Sequence, residues 1–453
     1  MFFLMVQDSN GAEQQTGGQD SRLKFALRAL RHRNYRLFFG GQSLSLIGTW
    51  MTQIATSWLV YRLTNSPWLL GIVGFSGQIP ALFLMPVAGV WVDRWDRHRV
   101  LEVTQVLAML QSLALAALAL SGRIQVWQII GLAMFQGVIN SFDMPARQSF
   151  VIEMIEDRAD LANAIALNST MVNGARLIGP SIAGVVIALA GEGFCFLIDG
   201  LSYIAVIASL MLMRTRRSEP KGRQNIFTEL REGFGYIIGF APIRSILALI
   251  AAFSLLGFPY TVLLPVFAST VLHGGPHTLG FLTAASGTGA LISAITLALR
   301  KTVVGLGKMI SAVAFTFGAA LMALGISRTL WLSLPLMLIT GFSMMQMMAA
   351  SNTIMQTILE EDKRGRVMSF YSLSFMGILP FGSLISGALA DKFGAPTTVI
   401  GGGALCIAVA TWFLMQLKHV RRIIRPIYVQ LGIIPEVAEG LQAAASFQTP
   451  PER

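Results

Sequence analysis

The stretch Gly89-Val90-Trp91-Val92-Asp93-Arg94-Trp95-Asp96-Arg97-His98-Arg99 decides the fold. It packs a cluster of charges into the join between two apolar runs of membrane length, 68–92 before it and 100–120 after it. Charges at such a join mark the place where the chain leaves lipid, turns in water and enters lipid again. The join is therefore the turn of a hairpin of two membrane-spanning helices, and it fixes one face of the bilayer.

Composition extends that reading to the whole chain. Of 453 residues, 54% are apolar and 13% charged, against roughly 25% charged in an average soluble protein. Apolar runs recur at about 37–61, 68–92, 100–120, 125–145, 162–189, 194–213, 245–271, 278–299, 308–326, 330–357, 368–390 and 396–417. Each can cross a hydrocarbon core of roughly 30 Å at about 1.5 Å per residue. Lipid offers the backbone no hydrogen-bond partner, so the runs must be helices. The expected fold class is an all-α membrane protein with twelve transmembrane helices, numbered 1 to 12 below, in two pseudo-symmetric six-helix bundles.

The net charge of +11 does not point to nucleic acid, because its distribution is that of a membrane protein. With an even helix count both chain ends share a side. On that side fall Arg22, Lys24, Arg28, Arg31, Arg33 and Arg36, then Arg94, Arg97 and Arg99, the linker run Arg214 to Arg223, Arg300 with Lys301, Lys363 to Arg366, and Lys418 to Arg425. The opposite side holds Arg62, Arg123, Arg328 and Lys392. This asymmetry places both termini in the cytoplasm, next to an anionic inner leaflet. Cys195 and Cys406 each fall inside a helix, which excludes a disulfide framework. No metal-ligand cluster and no Gly-Lys-Ser/Thr phosphate loop is present, which argues against an ATP-driven pump in this chain.

The organisation expected is a disordered tail (1–21), a basic interfacial helix (22–36) with Leu23, Ala26, Leu27 and Leu30 as its apolar stripe, a first bundle (37–213), a cytoplasmic linker with a surface helix (214–243), a second bundle (244–417) and a cytoplasmic tail (418–453). The bundles look related. Pro67, Leu70, Gly71, Ala81 and Leu82 recur as Pro276, Leu279, Gly280, Ala290 and Leu291, and Ile178 with Pro180 as Ile378 with Pro380. Both matches fall on equivalent helices, as a duplicated bundle requires.

Longer motifs carry a family resemblance. They are Leu37 to Gln42 with Ser45-Leu46-Ile47-Gly48-Thr49-Trp50, the Gly89 to Arg99 loop, Pro145-Ala146-Arg147-Gln148, Asn163 to Ser169 with Ala175-Arg176-Leu177-Ile178-Gly179-Pro180 and Gly184, and Arg364-Gly365-Arg366-Val367. From about Asn34 to Leu417 the chain resembles the major facilitator superfamily, and within it the drug:proton antiporter branch that includes macrolide and enterobactin exporters, the transmembrane secretion effector type. One departure stands out. Many proton-coupled exporters of the superfamily carry an arginine three residues before a Gln-Gly pair in helix 4, and here Ala133 precedes Gln136-Gly137.

The resemblance implies a monomeric secondary transporter of the bacterial inner membrane, not an enzyme. It would export an amphiphilic or aromatic small molecule (a drug, siderophore or metabolite) by rocker-switch alternating access. It would use no cofactor, only the proton gradient. A lipid-handling or uptake permease of the same fold, such as a lysophospholipid flippase, is the alternative. It also implies roles for residues. Gly89, Asp93, Arg94, Arg97 and Arg99 would latch onto helix 11 near Arg364 and Arg366, holding the inner side shut. Gly179, Pro180 and Gly184 of helix 5 would meet the small face of helix 8 (Gly280, Ala284, Gly287, Ala290) during the conformational change.

Charge deep in the membrane costs roughly 2.5–3.5 kcal/mol on insertion scales, so each instance needs a reason. Arg176 lies about 21 Å into helix 5, near the midplane, and either holds an anionic substrate group or an internal carboxylate, or makes a structural hydrogen bond to carbonyls freed by Pro180. Asp143, near the inner end of helix 4, either couples protonation to opening or pairs locally with Arg147, with Pro145 disturbing the helix between them. Asp199 in helix 6 reads as structural. The resemblance puts Gln42, Trp50, Gln53, Gln136, Asn140 and Asn173 on cavity-lining helices. Tyr260, with Phe253 and Tyr371, could stack a substrate ring, and Gln346 sits in the Met-rich helix 10.

Overall fold

The computed structural model describes residues 27–155, 157–213, 234–300 and 302–434. The expected N-terminal tail, the first part of the interfacial segment, most of the linker and the end of the C-terminal tail lie outside them. Among the described residues the architecture is all helical. Its long segments are α1 (Arg33–Thr64), α2 (Pro67–Arg94), α3 (Arg97–Leu120), α4 (Val126–Glu153), α5 (Leu161–Ala190) and α6 (Glu192–Leu212). Then follow α7 (Ala241–Leu256, continued by Tyr260–Val266), α8 (Pro276–Ala298), α9 (Leu306–Ile326), α10 (Leu330–Ile358), α11 (Glu361–Ser372, continued by Leu379–Phe393) and α12 (Ala395–Gln430). Ten of these rods are long and apolar enough to cross a membrane; α1 and α4 have the length but fall short in apolarity.

The joins follow local chemistry. Asn65 adopts the left-handed conformation (φ 50°) to end α1, and Ser66 then caps α2 by accepting from the Leu69 amide at 3.4 Å, with Pro67 at the first helical position. Asp96, in the charged hairpin, caps α3 by accepting from the His98 amide at 3.0 Å. Gly191 (φ 91°) separates α5 from α6, and Gly394 (φ 85°) separates α11 from α12 at the equivalent place in the second half.

The chain divides into two compact units, Met1–Arg223 with Leu264–Gly287, and Gln224–Leu263 with Thr288–Arg453. In the first, α1 packs on α5 and α6, α3 packs on α4 and α6, and α2 packs on α4. In the second, α7 packs on α11 and α12, α9 on α10 and α12, and α8 approaches α10 where Gly289 abuts the Leu338 carbonyl. The same pairing scheme occurs twice, as expected of a duplicated bundle. The units do not coincide with halves cut at the linker, because Leu264–Gly287 belongs with the first unit.

Three boundaries differ from the sequence expectation. α4 does not stop at residue 145 but runs through Pro145 to Glu153, because Ala146 and Phe150 are fully buried beyond the proline. α12 continues past residue 417 to Gln430, since Val420, Ile424 and Tyr428 extend its buried stripe. At the N-terminus, Arg28–Arg31 form a 3-10 turn and α1 already starts at Arg33, so no separate helix reaches residue 36. This turn docks on protein rather than presenting a lipid-facing stripe. Arg28 pairs with Asp160 at 2.8 Å, His32 meets Asp160 at 3.1 Å, and the Ala29 amide donates to Asn163 Oδ1 at 2.9 Å. Of the linker's expected surface helix, residues 234–239 are helical, with Phe234 and Ile238 exposed and Ile237 buried.

Close backbone approach organises α2 against α4. A Cβ at Gly137 would lie 2.5 Å from the Gly77 carbonyl oxygen and 3.0 Å from Pro80. Gly137→Val must therefore push the helices apart. A loss of about 2–3 kcal/mol is expected from such overpacking, read as a lower unfolding temperature of the purified protein in detergent.

Candidate functional site

The site is built where α5 crosses α1. Pro180 cannot donate a backbone hydrogen bond, and the Gly179 beside it lets α1 come close. A Cβ at Gly179 would stand 2.6 Å from Trp50 Cβ and 2.9 Å from the Ile47 carbonyl oxygen. One turn earlier on α5, the guanidinium of Arg176 lies over the Trp50 ring, 5.6 Å from its centroid. Both side chains are only partly buried. A cation over an indole gains roughly 0.5–2 kcal/mol, which holds Arg176 in place while its N–H donors remain free to meet an anion.

Other expected residues fall around this pair. Gln53, one turn beyond Trp50 on α1, is exposed. Asn173, one turn before Arg176, is buried and donates to the Ser169 carbonyl at 2.8 Å. On α4, Gln136 donates to Asn140 Oδ1 at 3.1 Å, Asn140 is exposed, and Gln136 Oε1 is buried without a hydrogen-bond partner. Gln42 is buried in α1, close to where Gly41 meets the Ala205 carbonyl of α6.

The small faces of α5 and α8 meet as expected. A Cβ at Gly280 would lie 2.6 Å from the Pro180 carbonyl oxygen, and one at Gly184 would lie 3.0 Å from His277 Cα. A Cβ at Gly287 would lie 3.1 Å from the Arg176 carbonyl oxygen, so the crossing runs along α5 from Gly184 to the site arginine itself.

The two buried carboxylates separate sharply. Asp143 accepts from Thr104 at 3.0 Å and Gln105 at 2.7 Å, and it pairs with Arg147 one turn on. The proline between them does not prevent the pair, because α4 stays helical through it. This is the local-pair arrangement, with donors on both oxygens. Asp199 accepts only from hydroxyls, Thr52 at 2.9 Å and Ser112 at 2.7 Å, both on Oδ2. Its Oδ1 is buried with no hydrogen-bond partner. Neither hydroxyl attracted notice in the sequence; the signal available was the pair Thr49 and Thr52 flanking Trp50 on one helix.

Of the charged hairpin, Asp93 and Arg94 form the last turn of α2, Gly89 has open space around its Cα, and Arg99 is exposed. Arg97 pairs with Glu153 at the end of α4. That partner was hidden from the sequence reading, which ended the helix before reaching it. In the second unit Arg364 and Arg366 sit half-buried in the first turns of α11.

The remaining second-unit candidates are packed rather than presented. Gln346 is buried and accepts from Ser293 at 2.5 Å while donating to Met309 Sδ at 3.2 Å. Tyr260 is 3% exposed against Phe317, and Phe253 is fully buried in the same aromatic cluster. Tyr371 donates to the Met348 carbonyl at 2.8 Å. Core packing accounts for the places of Gln346, Tyr260 and Phe253.

Among the described residues the chain is all helical, and ten of its helices are long and apolar enough to cross a membrane. The chain matches the transmembrane secretion effector family over residues 25–424 and belongs to it, and so to the major facilitator superfamily. It is 28% identical to the staphyloferrin A transporter of Staphylococcus aureus over 84% of this chain and 96% of that protein. It is 26% identical to the multidrug efflux pump Tap of Mycolicibacterium fortuitum (82% and 93%) and 21% identical to macrolide efflux protein A of Streptococcus pyogenes (84% and 96%). Among solved structures it resembles a POT family transporter in complex with 5-aminolevulinic acid (TM-score 0.67, 12% identity, 86% of this chain and 96% of that one). It also resembles a bacterial homologue of the human lysosomal transporter Spinster (TM-score 0.63, 13% identity, 91% and 99%).

The Asp143 arrangement has a measurable consequence. Asp143→Asn breaks a buried pair and should destabilise the protein by on the order of 3 kcal/mol. Thermal unfolding should register that loss, while transport per folded molecule stays within about twofold of the unsubstituted protein, since a spent carboxylate carries no coupling.

Proposed function

We propose that this protein exports an amphiphilic or aromatic small molecule bearing an anionic group, in exchange for protons, across the bacterial inner membrane. The observation that carries the reading is Arg176 held over Trp50 at the point where Gly179-Pro180 brings α5 and α1 together. An arginine in mid-helix is costly in lipid and is retained where it serves a ligand or a pathway. The ring gives an aromatic substrate a face to pack on, and the guanidinium gives its anion a partner. Relatives named as a staphyloferrin A transporter, a multidrug efflux pump and a macrolide efflux protein support export of an organic small molecule, and the anionic group is argued from Arg176 alone.

In this reading twelve helices cross the bilayer, including the more polar α1 and α4, and both termini face the cytoplasm and its anionic leaflet. The bundles rock as a monomer. The inner-side latch is assigned to the hairpin residues Gly89, Asp93, Arg94, Arg97 and Arg99 and to Arg364 and Arg366; the side chains of Asp93 and Arg94 lie outside what the structure describes. The α5–α8 crossing closes the outer side. Such a latch must break in each cycle, so its strength is limited to a few kcal/mol, about what a population shift can overcome.

Proteoliposomes with an imposed pH gradient test the proposal against a panel containing a macrolide, a lipophilic dye cation and a carboxylate siderophore. Flux of the carboxylate siderophore should rise with the gradient and exceed that of the dye cation, and Arg176→Ala should lower it by roughly tenfold or more, the worth of a lost charge-assisted contact. Flux indifferent to the gradient would reject exchange with protons.

The crossing supplies a second measurement. Gly280→Leu should hold α5 and α8 apart, abolish flux and leave the protein folded. A cysteine placed at His277 should then react faster with an impermeant thiol reagent than in the unsubstituted background, and equal rates would remove the crossing from the transport cycle.

A further inference from the structure

We infer that Asp199 is a proton-binding residue whose charge state sets the seating of α1, and with it the position of Trp50. The inference deepens the export reading by naming a residue through which the proton acts. It depends on that reading for the use made of the proton, not for the binding itself.

The geometry comes from three helices. Asp199 projects from α6 and is 2% exposed. Thr52 of α1 and Ser112 of α3 both donate to its Oδ2, at 2.9 and 2.7 Å. Among the described residues its buried Oδ1 makes no hydrogen bond of good geometry, although the Thr49 hydroxyl of α1 also lies beside the carboxyl group. α1 lies backbone-on against this carboxyl group, for a Cβ at Gly48 would stand 2.7 Å from Oδ1 and 2.9 Å from Asp199 Cα. Gly48 and Thr52 thus face α6, while Ile47 and Trp50 of the same turns face Gly179 of α5. Whatever shifts α1 at Asp199 must also shift Trp50 beneath Arg176.

The ionisable groups on the neighbouring elements are engaged elsewhere. Arg62 of α1 is held by Glu192 of α6 through two bonds of 2.7 and 3.0 Å. Arg176 of α5 lies on Trp50. On α3, Arg97 pairs with Glu153 and His98 bonds the Leu210 carbonyl at 2.9 Å. On α4, Arg147 pairs with Asp143. On α6 itself, Tyr203 lies one turn on, its hydroxyl 3.5 Å from Thr49, and the Cys195 thiol faces the Ala183 carbonyl. Among the described residues, no cation reaches Asp199 within ion-pair distance.

A buried carboxylate without a cation is relieved by taking a proton, whereas one with a cation, such as Asp143, is not. The step is simple in its balance. One proton from water binds Oδ1, the unpartnered oxygen, and gives the neutral acid; its release restores the carboxylate. The neutral acid carries an O–H against the backbone of α1 at Gly48, and the ionised form carries a bare oxygen there. These two states are not sterically or electrostatically equivalent for α1.

The test uses the full chain in lipid nanodiscs and needs no substrate. Infrared difference spectra between acidic and alkaline buffer should contain a protonated-carboxyl stretch that disappears on going alkaline. That band should be missing in Asp199→Asn and shifted in frequency in Asp199→Glu. The pH-dependent part of the fluorescence lost in Trp50→Phe should also be lost in Asp199→Asn. Exposed carboxyls contribute their own titrating bands, so a carboxyl difference spectrum that is identical in well-folded Asp199→Asn and in the unsubstituted protein would overturn the inference. Should Asp199→Asn not fold, Asp199→Glu and Thr52→Val carry the test, each displacing the band; a band unmoved in both overturns the inference. Titration at Asp199 together with flux indifferent to the gradient would reject export by proton exchange and leave the proton site standing.

Discussion

The fold depends on how closely helix backbones can approach. In lipid the helices gain little by burying apolar surface on one another, so they associate through close packing at small residues. The chain meets this demand repeatedly. Gly41 admits the Ala205 carbonyl between α1 and α6, Gly137 admits Gly77 between α4 and α2, and Gly318 and Gly403 face each other between α9 and α12. Gly382 sits against the Leu255 carbonyl between α11 and α7. At each place a methyl group would meet backbone atoms that cannot move aside. The Gly179 and Gly280 contacts are the same device at the candidate site. The candidate site and the rest of the architecture therefore rely on one kind of contact.

The second demand is that polar groups within the helices be answered. Glu192 is answered by Arg62, and Asp143 by Arg147, Thr104 and Gln105. Among the described residues, Arg176 is answered only by an aromatic face, and Asp199 only by hydroxyls. Fully answered groups hold the bundle together. Partly answered ones retain capacity for a ligand or a proton, and such residues mark functional positions in membrane proteins.

Much of this was legible in the sequence. The all-helical architecture follows from the apolar runs, and the contact of Gly184 with Gly280 from the small residues spaced along α5 and α8. The Arg176–Trp50 stack was not, because residues 126 apart in the chain carry no mark of their contact. The ends of α4 and α12 were misplaced because a proline or the end of an apolar run was taken as a stop; buried packing at Phe150 and Val420 overrode it. Tyr260 and Gln346 looked available because aromatic and amide side chains suit a pocket equally well and a core equally well. Their burial against Phe317 and Ser293 decides between those uses.

The duplicated scheme has not kept equal chemistry in its two copies. Among the described residues, the buried acidic side chains Asp143, Glu192 and Asp199 all belong to the first unit. The buried polar side chains of the second unit, such as Ser293, Ser343, Gln346 and Ser383, are neutral. Neutral hydroxyls and amides hold one geometry whatever the proton supply, whereas acids can exchange protons. The apolarity missing from α1 and α4 fits the same division, since Gln42, Trp50, Thr52 and Gln53 lie on one and Gln136, Asn140 and Asp143 on the other. A transporter needs a charge-bearing element that responds to its driving ion and a frame against which that response becomes movement. Among the described residues, the first unit carries buried acids able to exchange protons, and the second carries a core of aromatic rings and neutral polar groups.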